Sequence, residues 1–219
     1  MRTLALGIVV ALLLLTAEAQ KNKPRAEYMR KADQQAIVKD APKAFVAAEK
    51  PCDNYGWAAA VEMLMKFKQM HIPQRDWVMK AYGGHKCISP LSTAAYSGLL
   101  RYITGDYAPA PERKLHVEAE FVPGAPTAPD PFILAFRSGE PLLLVWKGKP
   151  YLWYGVIYDE YIHINGNRMF ELRELKLLDP LAKNDPLAKT KDPQLVSFVK
   201  GRDDANQIDG VMRITVTPR

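Results

Sequence analysis

The sequence predicts an α+β domain, and three observations carry the prediction. A Trp/Ala-rich apolar stretch, Trp57–Phe67, repeats its large residues at intervals of three and four, as a buried helix does. Two further helix-length segments follow it, with Pro and Gly at their ends. The second half is a series of short aromatic and β-branched runs separated by turn residues, the pattern of antiparallel strands.

The first element along the chain is a secretory signal over residues 1–19. Arg2 provides the positive start, Leu4 to Leu15 the apolar segment, and Ala17-Glu18-Ala19 a small-x-small cleavage site before Gln20. The apolar segment is too short to span a bilayer, and no later segment could cross one as a helix. The expected location is therefore secreted or periplasmic. Cleavage removes one Arg and one Glu and leaves the net charge at +6.

The remaining 200 or so residues suffice for one domain with its own core. A pI near 9.2 raises the question of an anionic partner. The cations are scattered, however, through stretches such as Lys21–Lys31 and Lys183–Lys191, without interleaved aromatics. A solvated basic surface is favoured over nucleic-acid binding.

Residues 20–44 are polar and read as a surface arm, with helix-like periodicity around Tyr28–Val38, leading to a strand at Phe45-Val46. Asn54 is placed to cap the central helix, because its side-chain oxygen can accept a first-turn N–H. A second helix is expected over Gln74–Tyr82, with Pro73 in its first turn and Gly83-Gly84 at its end. A third should run from Ser89-Pro90 to about Thr104.

Residues 106–131 hold six prolines and one expected strand, Leu115–Val122. Asp130-Pro131 opens a short helix ending near Gly139. The expected strands of the second half are Leu142–Trp146, Tyr151–Tyr158, Tyr161–Asn165 and Arg168–Glu171. Turns are expected at Lys147–Pro150, Asp159-Glu160 and Gly166-Asn167. The segment 179–193, with three Asp-Pro pairs, reads as an exposed loop, and Leu195–Lys200 and Gly210–Thr217 as closing strands.

The chain has two cysteines, Cys52 and Cys87. In an exported chain a disulfide between them is the default, contributing about 3–4 kcal/mol in the chain-entropy model. The alternative is a free Cys52 acting as nucleophile. The histidines, His71, His85, His116 and His163, show no metal-ligand spacing. No metal or cofactor is expected. Phosphate loops, nucleophile elbows and repeats are likewise missing from the sequence.

The stretch Tyr55-Gly56-Trp57-Ala58-Ala59-Ala60 resembles the opening of the central helix in papain-like cysteine peptidases. The nearest branches are the bacteriocin-processing (double-glycine) peptidase-like proteins and the bacterial papain-like proteins with a Cys-Trp-Ala-Ala signature. The layout from about Phe45 to Leu178 resembles that family as well. The resemblance implies a helical lobe whose buried helix packs against an antiparallel β-lobe, in one domain over residues 45–219. It also implies a structural disulfide from just before the nucleophile position to a glycine-containing loop, as Cys52–Cys87 would make.

The catalytic residues do not carry over. The nucleophile position holds Tyr55 in one alignment and Gly56 in the other. The strand that would begin with the catalytic His begins with Tyr151. No Gln follows Phe45-Val46 to serve an oxyanion, and Glu49 there would repel one. Asn165 stands where the orienting residue would be, but it also suits a turn.

The resemblance thus implies a bacterial, exported pseudopeptidase that binds a polypeptide segment or protein. Tyr55, Trp57, Tyr151 and Trp153 would line the cleft. The alternative is an active cysteine peptidase with Cys52 as nucleophile and His85 or His163 as base. An unrelated secreted α+β protein is the third reading.

Overall fold

A computed structural model describes residues 28–49, 53–88, 90, 92–124, 129–181, 195–198 and 208–219. The signal segment 1–19, Cys52, Ser89 and most of the 179–193 loop lie outside the described residues. The chain divides into two compact units, Met1–Lys31 with Glu160–Met169, and Ala32–Asp159 with Phe170–Arg219.

The larger unit is an antiparallel sheet with helices packed on it, which is the α+β class expected. Its helices are α1 (Gly56–Phe67), α2 (Gln74–Tyr82), α3 (Thr93–Ile103) and α4 (Asp130–Arg137). Its sheet draws on β1 (Tyr28–Ile37), β2 (Gly105–Ala110), β3 (Arg113–Pro123), β4 (Leu142–Trp146), β5 (Lys149–His163), β6 (Arg168–Leu178), β7 (Leu195–Phe198) and β8 (Ile208–Pro218). The strand order is β2-β3-β8-β4-β5-β6-β7, with β1 also paired to β5. The chain's final strand therefore lies in the middle, antiparallel to both β3 and β4.

Helix α1 is buried from Gly56 through Met65, all the way round, and contacts β4, α2 and the turn Ala41–Ala44. That position needs a helix apolar on nearly every face, Glu62 being the one buried exception, and the alanines at 58–60 permit close approach. Strand β4 is buried at all five positions, Leu-Leu-Leu-Val-Trp, as its place between β5 and β8 requires. Helix α2 ends on Gly83 in the left-handed conformation (φ 66°), which glycine adopts without a Cβ clash.

Several expectations are corrected. The helix-like stretch Tyr28–Val38 is strand β1 up to Ile37. Pairing with β5 outweighs local propensity here: the Val38 N–H donates to the Tyr154 carbonyl at 2.8 Å, and the Asp33 N–H to Asp159 Oδ1 at 3.0 Å. Phe45-Val46 is not a strand but irregular chain after the Ala41–Ala44 turn. Helix α3 starts at Thr93, capped by Ser92 Oγ, which accepts the Ala95 N–H at 3.2 Å.

Strand β2, hidden in the proline-rich stretch, makes a hairpin with β3. The two strands expected over Tyr151–Asn165 are one, β5, running straight through the supposed turn at Asp159-Glu160. Asp159 is fully buried, and besides the Asp33 N–H it faces Arg173 Nε at 3.6 Å. A carboxylate so supplied with donors stays in a strand interior where an unpaired one would be expelled.

The smaller unit, in its described part, consists of Tyr28–Lys31 and Glu160–Met169. Glu160 is buried and receives Arg168 Nη1 at 3.0 Å and Lys31 Nζ at 3.9 Å. The Tyr28 ring lies against His163, centroids 4.8 Å apart. The chain reverses after β5, with the His163 N–H donating to the Asn167 carbonyl at 2.8 Å.

Candidate functional site

The start of α1 is the place where the sequence expects chemistry. The chain enters it through a single 3-10 turn, Asp53–Tyr55, and the N-cap is Tyr55, without a side-chain cap bond. Asn54, expected as the cap, instead donates its side-chain N–H to the Cys87 carbonyl at 3.1 Å. Trp57 Nε1 reaches the next residue of that loop, the Ile88 carbonyl, at 3.2 Å. These two bonds tie the approach to α1 to the loop after α2.

Cys87 is disulfide-bonded and so offers no thiolate. Cys52, its expected partner, lies outside the described residues. His85 sits exposed on the loop two residues before Cys87. His163 belongs to the smaller unit, against Tyr28.

The tip of α1 is covered. A Cβ built on Gly56 would lie 3.1 Å from the Leu181 side chain. Leu181 is held by two bonds of its own segment. Its N–H donates to Asp179 Oδ1 at 2.8 Å, and the preceding Pro180 carbonyl accepts the Ala48 N–H at 2.7 Å. Asp179 is half-buried, and desolvation holds its carboxyl above the usual range, against the Leu181 N–H and the Lys149 charge.

Tyr151, named in the sequence as a candidate site residue, senses the same Asp179. Burial first and the Asp179 charge second push its phenol up to about 12. A phenol this weak as an acid, with no imidazole in its place, is no general base at neutral pH.

The four aromatics expected to line a cleft, Tyr55, Trp57, Tyr151 and Trp153, are all buried. Trp57 is 1% exposed and packs edge-on against Tyr82. Trp153 is 0% exposed, between Phe132 and Phe136 of α4, with Nε1 donating to the Gly155 carbonyl at 2.9 Å. They are core residues: Trp57 and Trp153 pack against α2 and α4, and the Tyr151 ring lies against Trp146 of β4. Asn165 lies in the smaller unit, where its Oδ1 accepts the Asn167 N–H at 3.0 Å. That is an Asx turn, the bland one of its two readings.

Glu62 and Gln74 form a buried polar pair that the sequence did not reveal. Glu62 Oε2 accepts the Gln74 backbone N–H at 2.9 Å. Gln74 Oε1 accepts the Glu49 N–H at 2.9 Å, and its Nε2 donates to the Ala47 carbonyl at 3.1 Å. A glutamine therefore does reach the segment after Phe45-Val46, from α2. Its amide is engaged in holding that segment. Glu49, feared as an anion beside an oxyanion, pairs its carboxylate with Arg75. Desolvation raises the Glu62 carboxyl above its ordinary range, opposed chiefly by the Gln74 bond. A lone Glu in an Ala/Met run was the only signal available in the sequence, and an interior helical Glu is more often exposed.

These shifts have one sign. A group whose folded pKa is raised contributes stability below its unfolded pKa and loses it as pH climbs through the folded value. For Tyr151 the window runs from about 10, the ordinary phenol value, to about 12. We therefore expect the melting temperature to fall across that window. Tyr151→Phe should fall less steeply, in melts followed by circular dichroism. Tyr96, also raised by burial, keeps part of the slope in the variant. An unchanged slope in Tyr151→Phe would refute the assignment.

Among the described residues no three His, Cys, Asp or Glu side chains are grouped to hold a metal ion. The chain matches no protein-family model, and no curated protein matches it.

Proposed function

We propose that this chain is an exported, papain-like pseudopeptidase, an accessory or binding module without peptidase chemistry. The observation that carries the reading is the occupation of the α1 start. Leu181 lies over Gly56, and the nearby Asp179 acts electrostatically on Tyr151, the residue that the resemblance aligns with a catalytic His. Nucleophile and base act as a unit, so losing both removes the reaction. The buried α1 against β4 of an antiparallel sheet is the arrangement that the resemblance implies, and it supports the papain-like assignment. The disulfide of Cys87 supports a Cys52–Cys87 pair, which would take Cys52 out of the nucleophile role.

In this reading the chain's own Asp179–Leu181 takes the place of a substrate at the helix start. A polypeptide ligand reaches that point only by displacing Leu181. Incubation with fluorogenic peptide mixtures should give no turnover above buffer, with or without reductant, and a thiol-reactive epoxide should label nothing in the native chain. Turnover abolished by Cys52→Ala would overturn the proposal in favour of the cysteine peptidase alternative. Failure of an immobilised peptide library to retain the protein would remove the polypeptide-binding part alone.

A further inference from the structure

Three consecutive residues, Asp179-Pro180-Leu181, make the contact over the start of α1. The three heavy atoms nearest a Cβ built on Gly56, at 3.1, 3.2 and 3.4 Å, all belong to the Leu181 side chain. The Pro180 carbonyl accepts the Ala48 N–H, and Asp179 Oδ1 accepts the Leu181 N–H. Asp179 also faces the Lys149 charge. The tripeptide is a compact ligand, because the Asx bond and the fixed φ of proline preset the turn that presents the leucine.

The same sequence occurs again a few residues on. Asp179-Pro180-Leu181-Ala182-Lys183 is followed, after Asn184, by Asp185-Pro186-Leu187-Ala188-Lys189. Two such short copies build no repeat architecture, but the second duplicates every group that the contact uses. It is also within reach. Leu195 of β7 pairs with Leu178 of β6, so their Cα atoms are about 5 Å apart. The Leu181 Cα lies three residues from Leu178, at most about 11 Å away. Residues 188–195 can span about 27 Å, enough to return to β7 with Leu187 in the place of Leu181. Residues 179–184 then form an added loop, whose closure entropy favours the first copy in the wild type.

We propose that the place over Gly56 is a binding site for the sequence Asp-Pro-Leu, and that Asp185-Pro186-Leu187 is its second ligand, exchanging with Asp179-Pro180-Leu181 of the same chain by a shift of six residues. A tethered copy outcompetes one on another molecule, because its effective concentration is of millimolar order. The inference rests on the polypeptide-binding part of the reading above and names what displaces Leu181: a copy of its own segment. The helix start stays covered in either register, and the shift releases residues 179–184 as a loop.

The test is NMR on the full chain with isotope-labelled leucine methyls. In the wild type the Leu181 methyls should show nuclear Overhauser contacts to the Gly56 α-protons. In Leu181→Asp the Leu187 methyls should show them instead, with Ala48 amide exchange within about tenfold of wild type. Leu181→Ala, which puts no charge at the site, should give the same transfer and serves if the Asp variant does not fold. Adding Leu187→Asp to either should abolish the contact and quicken Ala48 exchange about a hundredfold. Leu187→Asp alone should leave the Leu181 contact and Ala48 exchange as they are. No Leu187 contact in the Leu181 variants, or Ala48 exchange there as fast as in the double variants, overturns the proposal. Leu187 contacts seen only between chains, in a mixture of labelled and unlabelled protein, overturn it in favour of a second copy of the chain as occupant. Either failure leaves the loss of peptidase chemistry standing, since that falls only to turnover dependent on Cys52.

Discussion

Trp153→Ala is expected to lower the unfolding free energy by about 3–5 kcal/mol. The side chain is wholly buried, and its ring centroid lies 5.4 Å from that of Phe132 and 4.9 Å from that of Phe136. Those two residues face it from α4, so truncation leaves a void lined on one side by a helix of only eight residues. The Gly155 carbonyl also loses the indole donor at 2.9 Å. Trp153→Phe keeps most of the volume and should cost markedly less. Urea unfolding of the three proteins measures both differences, and similar midpoints for Trp153→Ala and wild type would show that Trp153 is not a core anchor.

Gly155→Ala should also destabilise, by about 1–3 kcal/mol, through overpacking. A Cβ there would meet the Ala36 carbonyl oxygen at 2.9 Å and the Ile37 Cα at 3.0 Å. Both obstacles are backbone, so relief requires β1 to move off β5. The Val38 N–H to Tyr154 bond at 2.8 Å should loosen with it. Amide hydrogen exchange at Val38 should quicken in Gly155→Ala more than exchange in β4. Gly98→Ala is the control: nothing lies within 4 Å of its Cβ position in α3. That substitution should stabilise by about 0.5–1 kcal/mol, the ordinary gain of Ala over Gly in a helix. If the two substitutions act alike, close approach of β1 is not what keeps Gly155.

The helices were legible because each advertises itself locally. α1 has three-and-four spacing, α2 has Pro73 before it and Gly83 after it, and α4 opens on Asp130-Pro131. β4 was legible as an unbroken apolar run. Where reading failed, the deciding partner was far away in the chain. Tyr28–Val38 has helical spacing but is drawn into strand geometry by β5. Asp159-Glu160 has the composition of a turn, yet Asp159 is accommodated in the larger unit by Asp33 and Arg173. In the smaller unit Arg168 and Lys31 do the same for Glu160. Gln74 gave no sign that its amide would be the clasp on Ala47 and Glu49.

The candidate site divides the same way. That Tyr55-Gly56 before and at the start of α1, and Tyr151 near the start of β5, carry neither thiol nor imidazole is read from residue identity alone. What fills that place depended on a chain segment more than a hundred residues later, Asp179–Leu181, and no local pattern announces such a contact. The sequence by itself determined the α+β class and the buried central helix, because spacing is a property of neighbours in the chain. Only the tertiary structure decided that the four aromatics are core, that β1 is a strand and that Leu181 covers the helix tip. Each depends on burial and backbone pairing between distant segments, whose free energy exceeds local preference.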